Sequence, residues 1–433
     1  MKRVLLMAPI RTRSGYGERS RDIAESILSS PDYLLEIIGT RWGNTAWNGL
    51  DETTEIGKRI ASCITKTPTP NPDIFIQITI PSEFHPRGKY NIGITAGIET
   101  TLCAPNWIEG CNRMDMVLGS SIHSIAVLKE SVFELKNEAT QQKVGDLKLK
   151  ETVKTGVLFE GYREDVFKRK SVESVNQSML DIKETFCYLF VGHWLDGPHG
   201  EDRKDVGMLV HTFCEAFKNK ASKNKPALIL KTSGGMASRL DKKNIEKKIN
   251  HITSKIQGAP SVYLLYGDLT DEEMAGLYFH PKIKAMVSFT KGEGFGRPLL
   301  EFSTTGKPII ASGWSGQLTF LHPNYNILLP GGLKEVHPKV HNDWLVKGSK
   351  WFTVDYMFAL RAFKDSYNKY KELSELSKQQ RSHVKKNFTH AKMTELLLNI
   401  LGSVEVAQEV QIKIPTLKVP KSQIKIPKVK VNS

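Results

Sequence analysis

Residues 283–316, IKAMVSFTKGEGFGRPLLEFSTTGKPIIASGWSG, constrain the fold more than any other stretch of the chain. The apolar run Ile283–Phe289 has the character of a strand buried on both faces. Thr290–Gly296 then turns sharply, Arg297–Thr305 has helical character, and Gly306-Lys307-Pro308 opens a second strand at Ile309. A strand, a helix and a strand in this order make a parallel unit. Glu293 and Glu301 stand eight positions apart across the turn. Glu293 lies in the loop at the strand's carboxyl end, where open α/β sheets hold their ligands. Glu301 lies a turn into the helix, within reach of the same ligand. Gly294 and Gly296 flank Phe295 and leave backbone N–H groups unobstructed before a helix N-terminus, a place suited to phosphate or sugar oxygens.

The rest of the chain repeats this alternation. In the first third, strands are expected at Arg3–Pro9, Leu34–Ile38, Asp73–Thr79, Asn91–Ala96, Met116–Gly119 and Val153–Phe159, with helices at Glu18–Leu28 and Ile122–Phe133. The polar stretch Arg163–Glu184 has the character of a linker. A second set follows: strand Phe186–Gly192, helix Asp205–Phe217, strand Ala227–Lys231, helix Lys242–Ile256, strand Val262–Tyr266 and helix Asp271–Phe279. Trp351–Lys385 and His390–Leu401 are expected to be helical. The fold class is therefore α/β, with two doubly wound, Rossmann-like domains. The expected divisions are 1–165, a linker at 166–184, 185–345, closing helices at 346–403 and a basic tail at 404–433. A length of 433 residues suits two or three domains.

Charge adds a condition on the partner. The formal net charge is +15, and six of those charges are lysines within 411–433, a segment with no Asp or Glu. That balance favours an anionic partner: a nucleotide, a nucleic acid or an acidic membrane surface. The segment repeats itself, Gln411-Ile-Lys-Ile-Pro415 recurring as Gln423-Ile-Lys-Ile-Pro427, and its prolines forbid a helix. It is either an electrostatic tether to nucleic acid or anionic lipid, or a solvated tail. No apolar run approaches the roughly 18 residues of a membrane helix. Val4–Ile10 is too short for a signal peptide, contains Pro9 and lacks a small-residue cleavage site, so it is expected to be a core strand. Five scattered cysteines in no metal-ligand spacing fit reduced thiols and a cytoplasmic location.

Glu293-Gly294-Phe295-Gly296 followed by Glu301 resembles the E-x7-E signature of the retaining GT-B glycosyltransferases, the group that includes glycogen and sucrose synthases. The resemblance implies two domains facing a cleft and transfer of a sugar from a nucleoside diphosphate to an acceptor hydroxyl. It implies that Glu293 faces the donor sugar, that the 294–296 backbone supports sugar and diphosphate, and that Glu301 accepts ribose hydroxyls. Relatives grip the diphosphate with an Arg and a Lys. Lys204 matches the Lys, His193 holds the place of the Arg, and Arg203 is the candidate substitute. Lys231, at a strand's carboxyl end, is a second phosphate candidate. Gly15 and Gly17, in the loop after the first strand, are expected to let backbone approach the sugar donor.

By the same resemblance Gly267 and Asp268 fall where relatives hold the base, and Gly313–Gln317 beside the sugar pocket. On the acceptor side, Glu99, at a strand end, is expected either to orient the acceptor hydroxyl or act as base, or to cap the helix that follows, with His123 a weaker candidate. Trp42, Trp47 and Trp107 are open either to stacking on a ligand or to packing. No D-x-D motif is present, so metal-independent chemistry is expected, with the nucleotide sugar as substrate and no further cofactor. The acceptor is open: a polysaccharide, lipid-linked glycan or protein, or a hydroxymethylated DNA base as for viral transferases. An inactive sugar-nucleotide-binding protein is the remaining alternative.

Overall fold

The computed structural model describes residues 1–168, 180–195, 197–234 and 238–405. The linker expected at 166–184 lies partly outside the described residues, and the basic repeat at 411–433 wholly so.

The first half comprises β1 (Lys2–Ala8), α1 (Gly15–Leu28), β2 (Tyr33–Gly39), α2 (Glu55–Ser62), β3 (Ile74–Ile78), β4 (Tyr90–Thr95), α3 (Pro105–Cys111), β5 (Met116–Gly119), α4 (Ile122–Glu130), β6 (Phe133–Lys136), β7 (Lys143–Leu147) and β8 (Lys154–Val157). Six strands form a parallel sheet in the order β2-β1-β3-β4-β5-β8. Side chains alternate between the two faces as strand geometry requires. Val4, Leu6, Ile74 and Ile76 enter one core, while Leu5 and Phe75 enter the other.

The second half comprises β9 (Cys187–Val191), α5 (Val206–Phe217), β10 (Ala227–Lys231), α6 (Arg239–Thr253), β11 (Val262–Leu265), α7 (Asp271–Phe279), β12 (Ile283–Ser288), α8 (Arg297–Ser303), β13 (Ile309–Ser312) and β14 (Ile327–Leu329). Its parallel sheet runs β11-β10-β9-β12-β13-β14. The strand order reverses between β9 and β12, so the loops after these strands open a crevice at the sheet's carboxyl edge. There follow β15 (Gly331–Glu335), β16 (Lys350–Val354), α9 (Tyr356–Asn368), α10 (Tyr370–Asn387) and α11 (His390–Gly402). The last helix returns to the first domain: Met393, Leu397 and Leu401 pack in the core that holds Val4 and Leu6.

Several boundaries differ from the sequence expectation, α6 lying three residues earlier and the expected 351–385 helix dividing into α9 and α10; three others differ for a clear local reason. The first helix starts at Gly15 rather than Glu18, because Ser14 caps it: the Ser14 hydroxyl accepts from the Gly17 N–H at 3.0 Å. Residues 351–354, expected as helix, are strand β16, antiparallel to β15, with Trp351 and Val354 buried. Helix resumes after Asp355, whose Oδ1 accepts from the Met357 and Phe358 N–H groups. Helix α4 ends at Glu130, and Phe133 opens the β6–β7 hairpin. Trp107 belongs to a core cluster and cannot stack on a ligand.

Candidate active site

Two loops define the crevice at the reversal of the second sheet. The first, after β9, carries Arg203 and Lys204 immediately before α5. The second, after β12, carries Glu293 and the Gly294-Phe295-Gly296 turn into α8. Gly296 sits at φ 94°, a left-handed conformation that glycine adopts without penalty. Phe295 is buried against Phe320, so this position offers its backbone to the crevice and its ring to the core.

Four of the residues selected from the sequence converge here. Lys204 Nζ donates to Glu293 Oε1 in a close ion pair, and Arg203 lies 3.5 Å from Glu293 Oε2. The same Arg203 nitrogen is 3.2 Å from Glu99 Oε1, across the domain boundary, and donates to the Gly292 carbonyl at 3.0 Å. The Glu293 backbone N–H donates to the Ser315 hydroxyl at 2.9 Å, and its carbonyl accepts from Gly316. Burial raises the Glu293 pKa, but Lys204 and Arg203 more than offset it and hold the carboxyl below its ordinary value. Burial lowers the Lys204 pKa, with Glu293 acting against it. His193, in the place where the resemblance puts an arginine, feels the charges of Lys204, Arg203 and Lys231; burial and that field depress its pKa. Lys231 donates to the Gly267 carbonyl at 2.6 Å, next to the segment expected to hold the base.

The domains meet too closely here for larger residues. A Cβ on Gly292 would lie 2.1 Å from the Glu99 carbonyl oxygen, and one on Gly294 would lie 2.6 Å from that of Ala96. The Ser124 hydroxyl donates to Ala96 O at 2.6 Å and reaches Gly294 O at 3.3 Å. The void beside Lys204, Glu293 and Gly296 amounts to 10 Å³. That void is smaller than a sugar ring, so a ligand does not reach Glu293 through it. A larger cavity of 710 Å³ lies elsewhere on the domain seam, lined by Arg13, Glu18, Arg21, Asp22 and Asp271 and by neither Lys204 nor Glu293.

The other sequence-selected residues divide. Glu301 is not part of the Glu293 group: its carboxylate pairs with Arg297 at 3.1 Å and accepts from Tyr278 at 3.4 Å. Gly15 is open, with nothing near an added Cβ, whereas Gly17 is packed, an added Cβ lying 2.1 Å from Thr12 O. His123 is edge-on to Trp314 with ring centroids 4.7 Å apart, and burial lowers its pKa to about 4. Trp42 stacks on Tyr16 at 3.9 Å; Trp47 is exposed beneath the Arg41 guanidinium at 5.5 Å. Sequence reasoning missed Arg297, which joins Glu301 to Asp22 at 2.7 Å and to Glu18 at 3.1 Å on α1. The available signal was an arginine directly after Gly-Phe-Gly, where a basic side chain has no helix-capping reason to sit.

No family profile matches the sequence, and no curated protein matches it. Solved structures do match. Sucrose-phosphate synthase from Thermosynechococcus elongatus is 12% identical, with 93% of this chain and 98% of that one covered at a TM-score of 0.61. A glycosyltransferase from Rickettsia africae is 12% identical, with 93% and 99% covered at 0.59. Anabaena HepE in complex with UDP-glucose is 12% identical, with 93% and 100% covered at 0.58. The chain has the GT-B fold, two Rossmann-like domains facing one another.

Proposed function

We propose that the chain is a glycosyltransferase that moves a sugar from a nucleoside diphosphate sugar to an acceptor hydroxyl. The observation that carries this reading is the meeting of Lys204, Arg203, Glu293 and Glu99 in the crevice where the second sheet reverses, facing the first domain. HepE, of the same fold, is a complex with UDP-glucose, which supports a nucleotide sugar as the ligand.

In this reading the bond between the anomeric carbon and the diphosphate breaks, and the acceptor oxygen bonds to that carbon. Lys204 and Arg203 meet the charge that develops on the departing diphosphate, the kind of fixed electrostatic stabilisation that lowers such barriers most. Their charge serves in place of a divalent cation. Glu293, held anionic by the same two cations, positions the sugar and stabilises positive charge at the anomeric carbon. The acceptor proton passes to the leaving phosphate, with Glu99 orienting the acceptor hydroxyl. Departure and attack on one face of the sugar retain the anomeric configuration, as the E-x7-E resemblance implies. Gly267 and Asp268, beside Lys231, hold the base, and the open backbone at Gly15 faces the cleft.

The test is transfer from a panel of nucleotide sugars to polysaccharide, lipid-glycan and hydroxymethylated-DNA acceptors, with product anomers assigned by NMR. The reading expects turnover with retained configuration that Glu293→Gln lowers by about 100–1,000-fold. Inverted product, or a Glu293→Gln variant that turns over like wild type, would overturn it.

A further inference from the structure

Directly behind the site lies a second charged group that the reaction as described does not use. In Asp202-Arg203-Lys204-Asp205 the two cations face Glu293, while the two acids turn inward and are 3% and 0% exposed. Asp205 Oδ2 accepts from the Tyr356 hydroxyl at 2.6 Å and lies 3.7 Å from Lys291 Nζ. Lys291 is 1% exposed and donates to the Thr353 hydroxyl at 3.1 Å. Asp205 Oδ1 is buried with no hydrogen-bond partner among the described residues. Asp205 also sits at φ 51°, ψ 37°, a left-handed conformation that Asp and Asn adopt more readily than other residues with a Cβ.

We propose that Asp205, Lys291 and Tyr356 form a buried positioning group that sets the Arg203–Lys204 pair and Glu293 at the spacing a sugar diphosphate requires; this rests on the glycosyltransferase reading. The geometry links the two site loops at three points. The Lys291 N–H donates to the Arg203 carbonyl at 2.7 Å, and the Arg203 guanidinium donates to the Gly292 carbonyl at 3.0 Å. The third point is the Asp205–Lys291 side-chain pair. Lys204 and Arg203 are thus one and two residues from Asp205 on one side, and Glu293 is two residues from Lys291 on the other. A buried ion pair is a poor source of net stability, since apolar side chains of equal volume often do as well. What it does supply is a fixed relation between two loops that share no secondary structure. Tyr356, the first residue of α9, extends the tie to the segment that closes the second domain.

Burial pushes the Asp205 carboxyl up to about 7, with Lys291 and the Tyr356 hydroxyl lowering it and Asp202 and Glu201 raising it. The Asp205 carboxyl therefore takes up or gives up its proton near neutrality.

Tyr356→Phe and Asp205→Asn test the proposal in the full chain, the second because Asn keeps the left-handed backbone and the shape while removing the charge. Each is measured for KM of the nucleotide sugar, KM of the acceptor and kcat against pH, beside Lys204→Met and a thermal melt. The expected result is a rise of about tenfold in the sugar-donor KM, the size of one lost charged hydrogen bond, with the acceptor KM unchanged. Asp205→Asn also loses the inflection near neutrality in the pH profile of kcat/KM. Variants that melt earlier yet keep the wild-type donor KM and pH profile would reduce the group to fold stability and overturn the proposal. If Lys204→Met destroys turnover while both variants behave as wild type, only this inference falls. If the wild-type chain turns over no nucleotide sugar, the glycosyltransferase reading falls first and takes this one with it.

Discussion

Glu293 and Glu301 begin from the same chemistry, eight residues apart around one turn, and end in opposite electrostatic states. Both are buried. Glu293 meets two cations of its own domain, Lys204 and Arg203, and its pKa falls. Glu301 meets one, Arg297, which it shares with Asp22 and Glu18, and its pKa is pushed up to about 8 by burial, with Glu18 and Asp271 adding to the rise. The difference teaches what each acid is for. A carboxylate held anionic by two cations, one of them shared with Glu99, and set beside a crevice is equipped to act on a ligand. One that shares a single guanidinium with two acids of the opposite domain ties α8 to α1 across the domain boundary.

The largest expected effect comes from breaking the second group. Arg297→Met removes the one cation that Asp22, Glu18 and Glu301 share, leaving Asp22 and Glu301 buried without it, which costs about 3–5 kcal/mol of stability and should appear as an early thermal transition. Lys204→Met removes a cation from the first group, where Arg203 remains, and should melt much closer to wild type. A similar loss in both variants would erase the contrast. Next, Glu293→Gln should lower kcat by about 100–1,000-fold while leaving the melt nearly unchanged, the scale on which one preorganised electrostatic contact acts. Glu301→Gln should keep most of kcat, and its melt should differ from wild type mainly at higher pH.

Gly294→Ala sharpens the comparison at the seam itself. Its Cβ must displace the Ala96 carbonyl, so domain closure should weaken and the sugar-donor KM should rise by about tenfold, with kcat less affected. The smallest effect is in pH dependence. Because the folded Glu301 carboxyl binds its proton more tightly than the unfolded one, its contribution to stability is fully present below about 4.5 and is lost as pH rises towards about 8. Glu293 works in the opposite sense, losing its contribution as pH falls through its depressed value. Denaturant titrations across this range should show Glu301→Gln flattening the decline at higher pH and Glu293→Gln flattening the loss in acid.

The division between these groups also marks how much the sequence disclosed. The turn at 290–296 was legible because its glycines, strand and helix signals are local and agree with one another. Arg203 and Lys204 were legible as cations at a helix start, and the structure brings both to Glu293. The Glu301 group was not, because Arg297 finds Asp22 some 275 residues away, and no local pattern encodes that meeting. Gly15 and Gly17 looked alike as a pair, yet only contacts across the loop separate the open one from the packed one. Strand β16 was hidden for a different reason. Trp351-Phe352-Thr353-Val354 has strand composition, but it abuts the strong helical pattern of α9, and its partner β15 is an exposed, glycine-rich strand. The fold as a whole was easier to read than either site, since alternating apolar runs and helices repeat over most of the chain.

The central claim is that Lys204, Arg203 and Glu293 bind the diphosphate and sugar of a nucleotide sugar. Calorimetric titration of the wild-type chain and of Lys204→Met with a panel of nucleoside diphosphate sugars tests it most directly. Saturable binding of at least one member, weakened about tenfold or more by Lys204→Met at an unchanged melting temperature, is the result predicted. Binding that is indifferent to Lys204, or no binding by any member of the panel, would contradict it.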